Sequence, residues 1–254
     1  MLTTLKTAKE MRTLIIYACL ILPDGKFIIL DYNKKQLLLF KNDGIFIRRV
    51  ITFTQSPYDA CFVRKNTVAV TLGPANQTTL VDIEKKTNIQ TIKFSHYCFG
   101  VASDGETVVI SSNSSQSTRV NLNDMSHTIL KGVEGVGRIS LLQRNIYGTI
   151  HLENKVCCYD STGEPLWTFQ HKDINSPGGI TLDMNGFVYI VSSKNGSIVV
   201  VSPDGKTCKT ILSEADGIKH PYGIDINKKT EMVIVSSIIS EDIRNYDTAF
   251  VYKI

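Results

Sequence analysis

The side chains with recognition chemistry fall at corresponding places along the chain. They are Tyr32, Lys34, Lys35, Tyr58, His96, Tyr97, His151, His171, Lys172, Lys194, His220 and Tyr222. Tyrosine rings and imidazoles stack on flat partners, and lysines meet acidic ones, so this set suits the anchoring of a peptide or of exposed bases. The carboxylates offer a different chemistry. Asp59, Asp183 and Asp225 lie in short apolar runs that read YDACFV, GGITLD and YGIDIN, and the companion runs YACLIL, YCFGVA and GRISLL carry no acid. A calcium centre needs several oxygens converging from such runs. Asp183 is placed to close a turn, which leaves Asp59 and Asp225 and no glutamate.

Metal capture by histidine and cysteine has no support in the spacing. Cys19, Cys61, Cys98, Cys157, Cys158 and Cys208 include no CxxC pair, and no Cys/His spacing follows a zinc module. His96 and His220 occupy equivalent positions of different repeats, so they share no metal. Cys19, Cys61 and Cys98 fall at nearly the same place in three successive repeats and read as small buried residues near an axis. No metal and no cofactor is expected. The unpaired cysteine pattern points to a reducing, cytoplasmic setting.

These groups must be carried by strands. A pattern of turn, apolar strand, polar loop and apolar strand recurs about every forty residues, the period of a β-propeller. The clearest copy is GGITLDMNGFVYIVSSKNGSIVVVSPDGKTCKTIL, from Gly178 to Leu212. Its runs FVYIV and IVVV are β-branched and too short for helices. Asn185-Gly186, Asn195-Gly196 and Asp204-Gly205 between them suit tight hairpins. A four-stranded sheet with two apolar faces cannot bury both alone, and stacking sheets around an axis buries them all. The sixth copy supplies three strands, YGIDIN, EMVIVSS and TAFVYKI. LTTLKTAKE, from Leu2 to Glu10, is the candidate for the fourth.

The predicted fold is therefore all-β: one domain over 1–254, a six-bladed propeller of four antiparallel strands per blade, closed by an N-terminal strand. The blades run over 11–53, 54–94, 95–133, 134–174, 175–217 and 218–254 plus 1–10. The apolar stretch LIIYACLIL from Leu14 reads as the first inner strand, too short to span a bilayer. It lacks a cleavage signature, so no membrane association is expected. Trp167, the lone tryptophan, is expected to pack on an outer strand. A net charge of +4 is too mild to demand a nucleic-acid partner.

Three segments carry a family resemblance: PGGITLDMNGFVYIVSSKNGSIVVVSPDG from Pro177, HPYGIDIN from His220 and LPDGKFIILDYNKKQLLLFKNDG from Leu22. They resemble NHL repeats, and the chain is similar to the C-terminal propellers of tripartite-motif proteins. Asp31 with Asn33, and Asp183 with Gly186, match the repeat's acidic, Asn and turn positions. VRKNT at Val63 and LQRNI at Leu141 replace the usual Asp-Gly turn, so blades two to four are degenerate. The RING, B-box and coiled coil of that family are not in this sequence.

The resemblance implies a non-enzymatic interaction platform. It would be the substrate-recognition propeller of a ubiquitin-ligase-like protein, binding a protein substrate or adaptor, or RNA, as a monomer. The expected face gathers the loops entering each inner strand with those between second and third strands. The opposite face carries Lys26, Lys65, Lys85, Lys86, Lys206, Lys228 and Lys229. The alternative is a calcium-dependent six-bladed hydrolase of the gluconolactonase or paraoxonase type.

Overall fold

The computed structural model describes residues 3–5, 14–238 and 248–254. These residues form six four-stranded antiparallel sheets. Blade one holds β2 (Ile16–Ile21), β3 (Phe27–Asp31), β4 (Gln36–Phe40) and β5 (Phe46–Thr52). Blade two holds β6 (Asp59–Arg64), β7 (Thr67–Leu72), β8 (Gln77–Asp82) and β9 (Thr87–Lys93). Blade three holds β10 (Val101–Ser103), β11 (Thr107–Ile110), β12 (Gln116–Asn121) and β13 (His127–Glu134). Blade four holds β14 (Ile139–Leu142), β15 (Asn145–Ile150), β16 (Lys155–Tyr159) and β17 (Pro165–Gln170). Blade five holds β18 (Pro177–Leu182), β19 (Val188–Ser192), β20 (Ser197–Val201) and β21 (Cys208–Leu212). Blade six holds β22 (Ile224–Asn227), β23 (Met232–Ser237) and β24 (Thr248–Lys253), with β1 (Thr3–Thr4) as its outer strand.

The ring closes as the sequence predicts, by an N-terminal strand in the last blade. Thr3 pairs with Val251 and Thr4 with Phe250, and Leu5 N–H donates to Ala249 O at 3.2 Å. Leu2 and residues 6–10 of the expected strand lie outside the described residues. Thr3 Oγ1 also donates to Asp43 O at 3.2 Å, in the outer turn of blade one. Gly44 in that turn has φ +81, and a Cβ there would lie 2.3 Å from Thr4 O. The closing strand thus joins blade six to blade one in two ways.

The core is divided among the blade junctions. Phe27, Ile29 and Phe40 of blade one pack with Ile234 and Val251 of blade six, and Leu30 and Leu39 pack with Val68 and Val70 of blade two. Equivalent clusters fill the other four junctions. Hydroxyls at the ends of second strands add a directional tie between blades. Thr71 Oγ1 donates to Phe99 O at 2.8 Å and Thr149 Oγ1 to Gly178 O at 2.9 Å, and Ser111 Oγ donates to Gly137 O in the same way. Each satisfies a buried carbonyl that would otherwise be costly. Trp167 packs edge-on to Tyr147 and under the blade-five turn, where a Cβ on Gly205 would meet its ring at 2.5 Å.

The degenerate turns fold without glycine. Lys65 takes φ 51, and Gln143 and Arg144 take φ 50 and φ 72. The hairpin geometry is therefore kept at the cost of left-handed backbone at ordinary residues.

Candidate functional site

Six aromatic rings and one arginine meet where the chain enters the inner strands. Tyr17 stacks on Tyr32, centroids 4.3 Å apart and planes 20° apart. Tyr58 is the hub, with Tyr32, Tyr97 and Phe99 at 5.5, 5.4 and 5.5 Å. Tyr222 lies 5.0 Å from Tyr17. The guanidinium of Arg138 sits 4.9 Å from the Tyr222 ring and 5.3 Å from that of Phe99.

Local backbone places each ring. Asp31, fully buried, accepts from the N–H groups of Ile15, Asn33 and Lys34 and from Gln36 Nε2. One carboxylate thereby fixes the turn that carries Tyr32 and the segment that leads into Tyr17. Tyr58 N–H donates to Thr71 O at 2.9 Å, and Tyr222 O accepts from Gly179 N–H at 2.8 Å. Tyr97 lies on Gly73, where a Cβ would come within 2.4 Å of the ring. Burial pushes the Tyr58 hydroxyl up, as do its hydrogen bonds to Tyr97 and Tyr32. Tyr58 stays protonated and able to donate.

Beneath this aromatic layer a cavity of about 330 Å³ runs down the axis and is lined by all six inner strands. Arg138 and Asp59 form a buried ion pair at its upper end, 2.5 Å between Nη1 and Oδ1. The other Asp59 oxygen accepts from Val101 N–H at 3.0 Å, and Arg138 Nη2 donates to Tyr17 O at 3.2 Å. Burial raises the Asp59 carboxyl, and the Arg138 charge draws it back. Lower down, Asp225 accepts from Ile21 N–H at 2.9 Å and from Thr181 Oγ1 at 3.4 Å. Burial pushes its carboxyl up to about 6. Lys228 at the opposite mouth is lowered by burial, with Asp225 and Asp183 opposing.

This donor set does not suit calcium. One of the two axial carboxylates already neutralises a buried cation, and a metal there would have to displace Arg138. Asp183 is a turn residue, as its position suggested: one carboxylate oxygen accepts from the N–H groups of Asn185 and Phe187, both at 2.9 Å.

The sequence reading gathered Tyr32, Tyr58, Tyr97 and Tyr222 in one set, and these four converge. The remaining predicted residues lie outside the aromatic cluster. His96 bonds Thr118 Oγ1 at 2.8 Å and Tyr97 O at 3.0 Å and packs on Phe94. His151 bonds Pro177 O at 3.2 Å. Lys35 reaches Thr54 O at 3.2 Å, and Lys172 O accepts from Asn195. His171 stacks on Phe169 beyond the end of β17. Lys34 and His220 are exposed, and Lys194 is exposed in the turn after β19.

Tyr17, Phe99 and Arg138 were missed. Tyr17 opens YACLIL as Tyr58 and Tyr222 open YDACFV and YGIDIN, so the repeat itself held that signal. Arg138 had none, because its role depends on Asp59 in another blade. One expectation is corrected: Cys98 does not line the axis with Cys19 and Cys61. It precedes β10 and is buried with Val63 and Val101 between blades two and three. All six cysteines are unpaired.

Leu152, in a single-turn helix on this same face, is 93% exposed. No helix among the described residues is long and apolar enough to cross a membrane.

No protein-family model and no curated protein matches the chain. Solved propeller structures do match. A streptogramin B lyase is 14% identical with a TM-score of 0.68, over 96% of this chain and 84% of that one. Virginiamycin B lyase from Staphylococcus aureus is 13% identical with a TM-score of 0.68, over 99% and 88%. Hydrazine synthase of Kuenenia stuttgartiensis is 10% identical with a TM-score of 0.70, over 95% and 96%. At these identities the likeness is one of fold, and the fold this chain shares with them is the β-propeller.

Proposed function

We propose that this propeller is a non-enzymatic platform that docks a protein partner on its tyrosine-rich face. The observation that carries the reading is the convergence of Tyr17, Tyr32, Tyr58, Tyr97 and Tyr222 around Arg138, a composition typical of interface hot spots. The exposed Leu152 on the same face suits an apolar side chain of a protein better than a nucleic-acid backbone. Among the described residues, the cation at the centre, Arg138, is already paired with Asp59 and offers phosphate no free charge. The NHL-like outline of the blades supports a recognition role of the tripartite-motif kind, including a ubiquitin-ligase assembly. Two of the matched structures are lyases, but identities of 14% and 13% transfer no chemistry.

The test is capture of partners from native extract with immobilised chain, with and without ribonuclease. Capture should survive ribonuclease, fall in Tyr32→Ala and Leu152→Asp, and persist in the opposite-face variant Lys228→Ala with Lys229→Ala. Loss on ribonuclease treatment would mean an RNA partner. Loss only in the lysine variant would move the site to the other face.

A further inference from the structure

A second cluster lies at the outer edge, where blade four meets blade five. His171 and Asp173 follow β17, and Cys208 opens β21. One ligand atom from each lies within 4.8 Å of the other two. His171 Nδ1 stands 3.6 Å from an Asp173 carboxylate oxygen. That gap is too long for a hydrogen bond. Asp173 N–H donates to the same Nδ1 at 3.3 Å, so the neutral imidazole turns a lone pair, not a proton, toward Asp173. The gap is close to the ~3.3–3.8 Å between neighbouring donors around a tetrahedral cation with bonds of ~2.0–2.3 Å.

The surroundings hold these groups in place and leave them reachable. The Phe169 ring backs the imidazole at 6.2 Å with planes 16° apart. Phe169 and Cys208 share the apolar junction with Tyr147 and Trp167. Ile174 N–H donates to His171 O at 2.9 Å, and Asn195 Nδ2 donates to Lys172 O at 3.1 Å, so the turn is tied from both blades. His171 is exposed, and Asp173 and Cys208 are half-buried.

We propose that His171, Asp173 and Cys208 form a three-ligand site for a borderline divalent transition metal such as zinc, with its fourth position open to solvent. A nitrogen, an oxygen and a sulfur donor together disfavour calcium and magnesium, which take oxygen, and suit zinc or cobalt. No gap between these donors exceeds 4.8 Å, so reaching tetrahedral separation takes a closing of about 1 Å at the widest. A metal on Nδ1 would take the place of the Asp173 N–H that now donates to it. The metal would stitch the segment leaving blade four to the outer strand of blade five. Sequence spacing conceals the site, because its third ligand comes from the next blade.

The full chain, stripped with a chelator, is titrated with cobalt(II). One equivalent should bind with the near-ultraviolet band of thiolate-to-cobalt charge transfer, and zinc should bleach it. Cys208→Ser should abolish the band. His171→Ala and Asp173→Asn should weaken binding by about tenfold or more. Cys61→Ser, at the other half-buried cysteine, should leave it intact. Metal-free melting curves establish which variants fold. If Cys208→Ser does not fold, the exposed His171→Ala decides. Absence of the band, its survival in folded Cys208→Ser, an unchanged cobalt affinity in folded His171→Ala, or loss of the band in folded Cys61→Ser overturns the proposal.

Discussion

Arg138 of the fourth blade and Asp59 of the second meet at 2.5 Å beneath the aromatic layer, reaching past the third blade. Removing one partner leaves the other charged in a poorly solvated place. Arg138→Met should therefore destabilise the protein by about 3–5 kcal/mol. The double variant Asp59→Asn with Arg138→Met should regain most of that loss. Urea unfolding of the two variants measures this, and a loss below about 1 kcal/mol in the single variant would show that water reaches the pair.

The pH dependence turns on Asp225. Its carboxyl is raised to about 6 by burial, so the folded chain holds that proton more tightly than the unfolded chain does. The sign follows: this residue's contribution is most favourable below about pH 4 and is lost as pH rises through about 6. Asp225→Asn should raise stability above about pH 6 by about 1–3 kcal/mol and flatten the slope between about pH 4 and 6. Unfolding free energies of both proteins across the range supply the difference. An unchanged slope would place the titration elsewhere.

The closing strand should matter out of proportion to its length. Deleting residues 1–5 exposes the edge of β24 and removes the Thr3–Asp43 tie to blade one. The melting temperature should fall by several degrees, as a loss of about 1–2 kcal/mol implies for a chain of this size. Differential scanning calorimetry reads it directly, and an unmoved transition would mean that β24 holds the ring without help.

The Gln143-Arg144 turn stores strain. Both residues are left-handed, the arrangement that Asn-Gly adopts at little cost. Replacing the pair by Asn-Gly should stabilise the fold by about 1–2 kcal/mol. A chemical denaturation curve that moves the other way would show that contacts of the Arg144 side chain outweigh its backbone.

The fold was legible because its signals are local and repeated. Asp204-Gly205 and Asn185-Gly186 mark turns, and FVYIV and IVVV mark strands. The tyrosine centre was legible in part, since Tyr58, Tyr97 and Tyr222 recur at strand entries. Arg138 was not, because its meaning comes from a residue two blades away. Cys98 misled through a small slip of register: blade three begins its inner strand at Val101, so the cysteine falls between blades. The grouping of His171, Asp173 and Cys208 lay beyond any short-range pattern for the same reason.

Pairing Thr3 with Val251 has a consequence for biosynthesis. A ribosome adding about 5–20 residues per second needs roughly 10–50 s to go from Thr3 to Val251. For all that time β1 has no strand to pair with. The nascent blades accumulate as an open arc with an apolar face at each end, and circularisation waits for β24 to emerge.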